Sequence, residues 1–213
     1  MIHRSQIIGG VIFGLLLTMP VLLPLIGEGY LTGLIIKAML LAIAAISLDL
    51  LIGHGGMVSL GHSAFVGVGA YATAISLENG IENILLLLTI TLIVTGLVAL
   101  VTGILALRTS GIYFLMITLA FGQMIYFTLT SLAAYGGDDG LTLWSLATLF
   151  GSNIVQNGEG LYFVVLGTLF ITWWGVHRIS RSRFGRVLRA ARDNPERAEV
   201  LGYSVTHYRL AAY

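Results

Sequence analysis

The chain has 213 residues, 57% of them hydrophobic and only 10% charged, against roughly 25% charged in soluble domains. That excludes a soluble fold; at about 20 residues per span, the length allows six membrane crossings and little else. The net charge of +1 does not argue for nucleic acid, because eight of the eleven basic residues are arginines gathered between Arg178 and Arg209, and the absence of cysteine excludes disulfides and thiolate metal sites.

Taken in order, the sequence predicts a first span over residues 7–26. Arg4 precedes it and no small-residue cleavage site follows, so the span is expected to be retained. Pro20 and Pro24 should bend or end it. A turn carrying Glu28 leads to a second span over 31–52, which contains Lys37 and Asp49. A segment rich in glycine and histidine follows at 53–62, then an apolar stretch over 63–77 that is short for a crossing. Glu78 and Glu82 bound the next turn. Residues 83–107 are free of charge and long enough to cross with some tilt. Arg108 to Gly111 make a tight turn, and 112–134 crosses back. The longest connection, 135–160, carries Asp138, Asp139 and Glu159. Residues 161–176 form the last clear span, with Trp173 and Trp174 where aromatics collect near headgroups. The expected fold is therefore all-α, a polytopic transmembrane helical bundle with about six spans, one domain over 1–213.

Basic residues beside spans favour the cytoplasm. Placing the arginine cluster inside puts 135–160 outside as a periplasmic loop, Arg108 inside, and the turns with Glu78, Glu82 and Glu28 outside. Arg4 and the N-terminus then lie inside. Only alternation places 53–62 on the inner side, since it has no lysine or arginine of its own.

Residues 182–203 carry the most specific local pattern. Phe184, Val187, Leu188 and Ala191 recur at the spacing of one helical face. Then the pattern restarts: Asn194 suits a cap, Pro195 a first helical position, and Glu196 a first turn. Gly202 suits the left-handed residue that stops a helix. A short, capped helix of about two turns reads as a docking element for a soluble partner. An amphipathic helix on anionic lipid would also use the arginines, but the cap, the stop, Glu196 and Glu199 are poorly suited to lipid. Beyond Gly202, Ser204 or Thr206 can cap a further helix opening with Tyr208, Leu210, Ala211 and Tyr213. The sequence is expected to be truncated before further spans, the alternative being a terminus on the membrane surface.

The 53–62 segment has two readings. Its glycines can break a helix to line a path with exposed backbone, with Ser59, His62 and Ser63 as donors and acceptors. Equally, it can be a loop whose glycines permit close packing. Asp49, near a span's inner end, is either functional or a headgroup-level charge. Lys37 is within snorkelling reach of the outer surface, and Gln123 suits an interhelical hydrogen bond. Gly67, Gly69, Ala70 and Ala74 suit helix packing. His54 and His62 lack the carboxylates or cysteines of a metal set. Gly61-His62-Ser63 faintly suggests an intramembrane serine nucleophile, but His3, His177 and His207 fall at or beyond span ends. No phosphate-binding G-x-x-x-x-G-K-[ST] run is present, so the chain does not bind ATP by that route.

Three blocks, GHGGMVSLGHSAFVGVGAYATA at 53–74, LRTSGIYFLMITLAFGQMIY at 107–126 and FGRVLRAARDNPERAEVLGY at 184–203, with the minor motif GGDDGL at 136–141, resemble the inner-membrane permease subunits of branched-chain amino acid ABC transporters, LivM type. The resemblance covers most of the chain from about Asp49 onward. It implies that Glu196-Arg197-Ala198, three residues and Gly202 correspond to the E-A-A signature of importer permeases, with Arg197 departing from the middle alanine. It further implies that this helix sits in a groove of an ATPase subunit, with Glu196, Ala198 and Gly202 coupling and Arg189 and Arg192 touching lipid or partner. The implied assembly has a second related permease, two cytoplasmic ATPase subunits and a periplasmic substrate-binding protein. ATP would be used by the ATPase alone and no cofactor bound by this chain; the bacterial inner membrane would be its location and alternating access its mechanism. Asp49, Ser59, His62 and Ser63 are the candidate path residues. The rival classes are an ion-coupled secondary transporter or channel using the 53–62 break and Asp49, and a membrane scaffold. Which amino acid is carried, or whether urea is, does not follow from the sequence.

Overall fold

The computed structural model describes residues 9–10, 13–20, 29–132, 135, 137, 147–148 and 158–213. Arg4, His3, the bend at Pro24, the turn at Glu28 and the acidic pair Asp138–Asp139 lie outside the described residues. Among the described residues the regular structure is helical, without a strand, and Asn83 and Thr148 form an isolated parallel bridge.

Helix α1 is described at residues 9–10 and 13–20. Then come α2 (Gly29–Asp49), a π-helical turn (Leu50–His54), α3 (His62–Glu78), α4 (Ile84–Ala106), α5 (Ile112–Thr130) and α6 (Gly158–Arg181). Three short helices close the chain: α7 (Arg183–Asp193), α8 (Pro195–Val200) and α9 (Val205–Ala212). Among the described residues four stretches are long and apolar enough to cross a membrane: Tyr30–His54, Ile84–Ala106, Ile112–Thr130 and Gly158–Arg181. The second predicted span thus runs through Gly53 and His54, because the π turn continues the helix where glycine suggested a break. Helix α3 has 17 residues, about 25 Å at 1.5 Å per residue, and keeps the shortness its sequence suggested.

Two packed groups make the bundle. In the first, α2 and α6 enclose Ile36, Met39, Tyr162, Val165, Leu166 and Leu169, with Phe13, Leu16 and Met19 of α1 against them. Pro20 has no N–H to offer the carbonyl four residues earlier, that of Leu16. The buried Tyr162 hydroxyl donates to that carbonyl at 2.6 Å, so the group proline orphans is satisfied from another helix.

In the second group α3 packs on α4 and α5. Thr73 and Thr91 share a hydroxyl bond of 2.9 Å across α3 and α4. Gly61 lies against the Thr118 carbonyl, and a Cβ added at Gly122 would stand 3.2 Å from the Gly61 Cα, the small-residue approach expected where lipid removes any hydrophobic drive between helices. Leu51, Met57, Ala106 and Phe114, with Tyr213 just after α9 beside them, join the groups near the π turn. Leu86, Leu92, Ile93 and Leu97 of α4 are exposed, as lipid-facing side chains are.

Candidate functional site

The arginine-rich end is built from α7, α8 and α9. Ser182 caps α7, accepting from the Gly185 amide at 3.4 Å, and Val187, Leu188 and Ala191 are buried along the face the spacing predicted. Phe184 is half-buried and lies 5.5 Å from the Tyr208 ring. The Asn194 side chain then accepts from the Arg197 amide at 2.9 Å, with Pro195 at the first helical position. At the far end Gly202 has φ +87°. The Tyr203 amide donates to Ala198 at 3.2 Å and the Gly202 amide to Glu199 at 2.8 Å, the paired bonds that satisfy the last carbonyls of a helix ending on a left-handed residue. Six residues of helix are fixed at both ends.

Ala198, 2% exposed, packs with Ala191 and Val205. The close approach it permits is therefore to its own chain. Glu196, Arg197 and Glu199 are exposed, as are Val200 at 88% and Leu201 at 69%. Position 197 faces outward, so arginine there displaces nothing, whereas a larger residue at 198 would collide with the Ala191 and Val205 side. The outer face of α8 carries Glu196, Arg197 and Glu199 beside two bare aliphatic side chains.

Four of the eight arginines bond back onto the chain, a feature that sequence reasoning missed, although Arg186, Arg189 and Arg192 stay exposed. Arg186 donates to the Arg181 carbonyl at 3.1 Å and Arg189 to the Ser180 carbonyl at 2.9 Å, both at the end of α6. Arg209 donates to the Ala191 carbonyl in the last turn of α7 at 3.0 Å. Arg192 donates to the Gly53 carbonyl in the π turn at 2.5 Å. Cations at helix C-termini meet unpaired carbonyls and the negative end of the dipole. Arg178 instead lies over the Trp174 ring at 5.8 Å. The guanidinium groups of Arg186, Arg189, Arg192 and Arg209 tie helix ends and the π turn together, and Arg189 and Arg192, expected against lipid or partner, are exposed as well as bonded.

The 53–62 segment is closely packed. Gly56, at φ +65°, lies against the aliphatic stem of Arg192, where a Cβ would overlap it. Leu60 donates its amide to Thr118 Oγ1 at 3.2 Å. Ser59 is buried, and its hydroxyl makes no hydrogen bond among the described residues. His62 Nε2 meets Ser47 Oγ at 2.8 Å. The Ser47 proton is directed at the Ala44 carbonyl at 2.8 Å, so the pair is satisfied with Nε2–H donating. His62 thus pins α3 to α2 rather than serving Ser63.

Ser63 faces a cleft of about 280 Å³ between α3 and α5, lined also by Leu60, Gly67, Gly122, Gln123 and Tyr126. Gln123, read as an interhelical bond, lines this cleft instead. Asp49 is exposed and opens onto a separate cleft of about 450 Å³ between α2 and α6, with His54, Trp173, His177 and Ser180. The proposed path residues therefore divide: Ser63 and Asp49 line different clefts, Ser59 is buried and His62 is structural in its bonding. Lys37 is exposed on α2. Among the described residues no three histidine or acidic side chains gather as a metal site.

Apolar helices long enough to span, closed by a basic knot that presents one short capped helix, define a multi-pass membrane protein. The model of the family described as branched-chain amino acid transport system / permease component matches residues 30–213, and the chain belongs to that family. It is 25% identical over 198 residues, 82% of this chain and 47% of the relative, to the high-affinity branched-chain amino acid transport system permease protein LivM of Salmonella typhimurium strain LT2. It is 24% identical over the same shares to the protein of that name from Escherichia coli strain K12. The chain thus spans about half the length of these relatives. No solved structure matches it.

Proposed function

We propose that the chain forms part of a transmembrane permease subunit of an ATP-driven importer for branched-chain amino acids in the bacterial inner membrane. The observation that carries this is α8: capped by Asn194, stopped at Gly202, held inward by Ala198 and bare at Glu196, Glu199, Val200 and Leu201. A helix so braced moves as a body when pushed. Its aliphatic tip beside the Glu196 and Glu199 carboxylates, with Arg197 between them, suits a groove on a folded ATPase better than an anionic membrane. Six crossings, with the N-terminus and the arginine knot in the cytoplasm, follow from the charge pattern. A second related permease would enclose the path with this one, two ATPase subunits would dock below, and a periplasmic binding protein would deliver substrate near 135–160. ATP binding and hydrolysis belong to the ATPase; here the spans alternate access. The Ser63–Gln123 cleft supplies polar groups for a zwitterion on a spanning face.

The test uses the absence of cysteine from these 213 residues, any cysteine elsewhere in the full-length protein being replaced first. Leu201→Cys in the full-length protein, in native membranes, is expected to cross-link to one soluble partner of ATPase size with a yield that ATP alters. Ala198 is unsuitable because it faces inward. Products with lipid or self alone, from correctly inserted protein, would reject the docking reading, and uptake driven by an ion gradient would replace it.

A further inference from the structure

Arg192 joins two features that otherwise lie far apart: the docking helix and the irregular end of α2. It stands two residues before Asn194, the α8 cap, yet its guanidinium donates to Gly53, 139 residues away. The bonds closing the π turn run from Gly55 to Leu50, Gly56 to Ile52 and Met57 to Leu51. The Gly53 carbonyl is taken by Arg192 instead. The arginine stem fills the space beside Gly56, whose left-handed backbone and missing Cβ leave room for it. On the other side of the same turn the Asp49 carboxylate lies over Gly53, 2.7 Å from where a Cβ would stand. The ion pair of Arg192 with Asp193, at 3.1 Å and exposed, steers the guanidinium without burying it.

We infer that Arg192 is a positioning residue, a strut that transmits displacement of α8 to the π turn of α2, so that movement at the docking surface is delivered to one span at a defined point. A guanidinium on a carbonyl resists pulling and a stem against a glycine resists pushing, so the contact carries load in both directions. A π turn is a place where a helix already departs from regular bonding, and register there shifts at less cost than in a continuous α-helix. This inference rests on the proposed docking of α8 to an ATPase and assigns a route for that motion inside the chain.

The experiment uses the complete transporter in proteoliposomes and reads two quantities, substrate uptake and ATP hydrolysis. Arg192→Gln is expected to retain bound ATPase subunits and to lower uptake per ATP by about tenfold, within the usual range of coupling between sites. Gly56→Ala, which drives a methyl into the stem, should lower the same ratio. The double variant should be no worse than the poorer single one, since both remove one contact. An unchanged ratio in both single variants, or losses that multiply, would overturn the strut. Should Arg192→Gln fail to assemble, Arg192→Lys decides: an intermediate ratio supports the strut and a wild-type ratio rejects it. Leu201→Asp separates the two readings. If it leaves ATPase subunits bound, the docking proposal fails; if it releases them while Arg192→Gln keeps the wild-type ratio, the strut alone fails.

Discussion

At the scale of single residues, the chain solves each irregularity with a side chain from elsewhere. Tyr162 and Pro20 show the logic most plainly. Proline deletes the amide that would have met the Leu16 carbonyl, and a buried hydroxyl at 2.6 Å replaces it. Tyr162→Phe should therefore destabilise the protein by about 1–3 kcal/mol, the cost of a buried acceptor left unpaired. Reversible denaturant titration in bicelles would measure it. Pro20→Ala restores an amide donor, so the double variant should recover much of the loss. If Tyr162→Phe costs the same beside either residue at position 20, the hydroxyl is not replacing the missing amide. The arginines follow the same logic, since Arg186, Arg189, Arg192 and Arg209 all donate to carbonyls at the end of a helix or in the π turn. Four of the eight clustered arginines thus brace helix ends and the π turn, three of them while remaining exposed.

At the scale of elements, α8 is a helix too short to persist on its own, since nucleation is unfavourable and isolated helices below about 12 residues are marginal in water. Its termini must supply what its length cannot. Asn194→Ala removes the cap and should cost about 0.5–2 kcal/mol. Gly202→Ala meets no atom within 4 Å of its new methyl, so its cost is backbone strain alone, about 1–2 kcal/mol. Hydrogen exchange should report both as faster exchange of the amides at Ala198 to Tyr203 with protection in α4 and α5 unchanged; loss of protection throughout would mean that α8 is integral to the bundle. The sequence made this helix legible because caps and stops act over three or four residues. It could not show which way the helix faces, because Ala191 and Val205, on flanking helices, decide that. Nor could it show the π turn, which differs from an α-helix by one residue of register, nor the Arg192–Gly53 bond across 139 positions. The glycines at 53–61 signalled irregular backbone correctly, but path and packing demand the same residue type. Only the neighbours, Thr118 beside Gly61 and Arg192 beside Gly56, favour packing.

At the scale of the whole molecule, everything about sidedness turns on α3. Its 17 residues give about 25 Å of helix, below the roughly 30 Å of a hydrocarbon core. Yet Ala74, Ser76 and Leu77 are buried near its far end, and Asn79 and Gly80 turn the chain directly into α4, which is 23 residues long and free of charge. So short a turn puts the end of α3 and the start of α4 on the same side of the membrane. The π turn and the packed segment before α3 sit beside Arg192 of the basic knot, so the start of α3 belongs to the knot's side and its end to the opposite side. Crossing by α3 thus places Asn79 across the membrane from both Ser110, in the α4–α5 turn, and Arg197. In the cysteine-free chain, Asn79→Cys should react with a membrane-impermeant maleimide added outside intact cells, while Ser110→Cys and Arg197→Cys should react only after permeabilisation. Mismatch of this size is met by thinning the bilayer or by flanking polar residues at modest cost, so the short helix is no obstacle. If Asn79→Cys and Arg197→Cys label from the same side, α3 re-enters rather than crosses, the alternation of charged turns loses one step, and the Ser63–Gln123 cleft no longer lies on a spanning face.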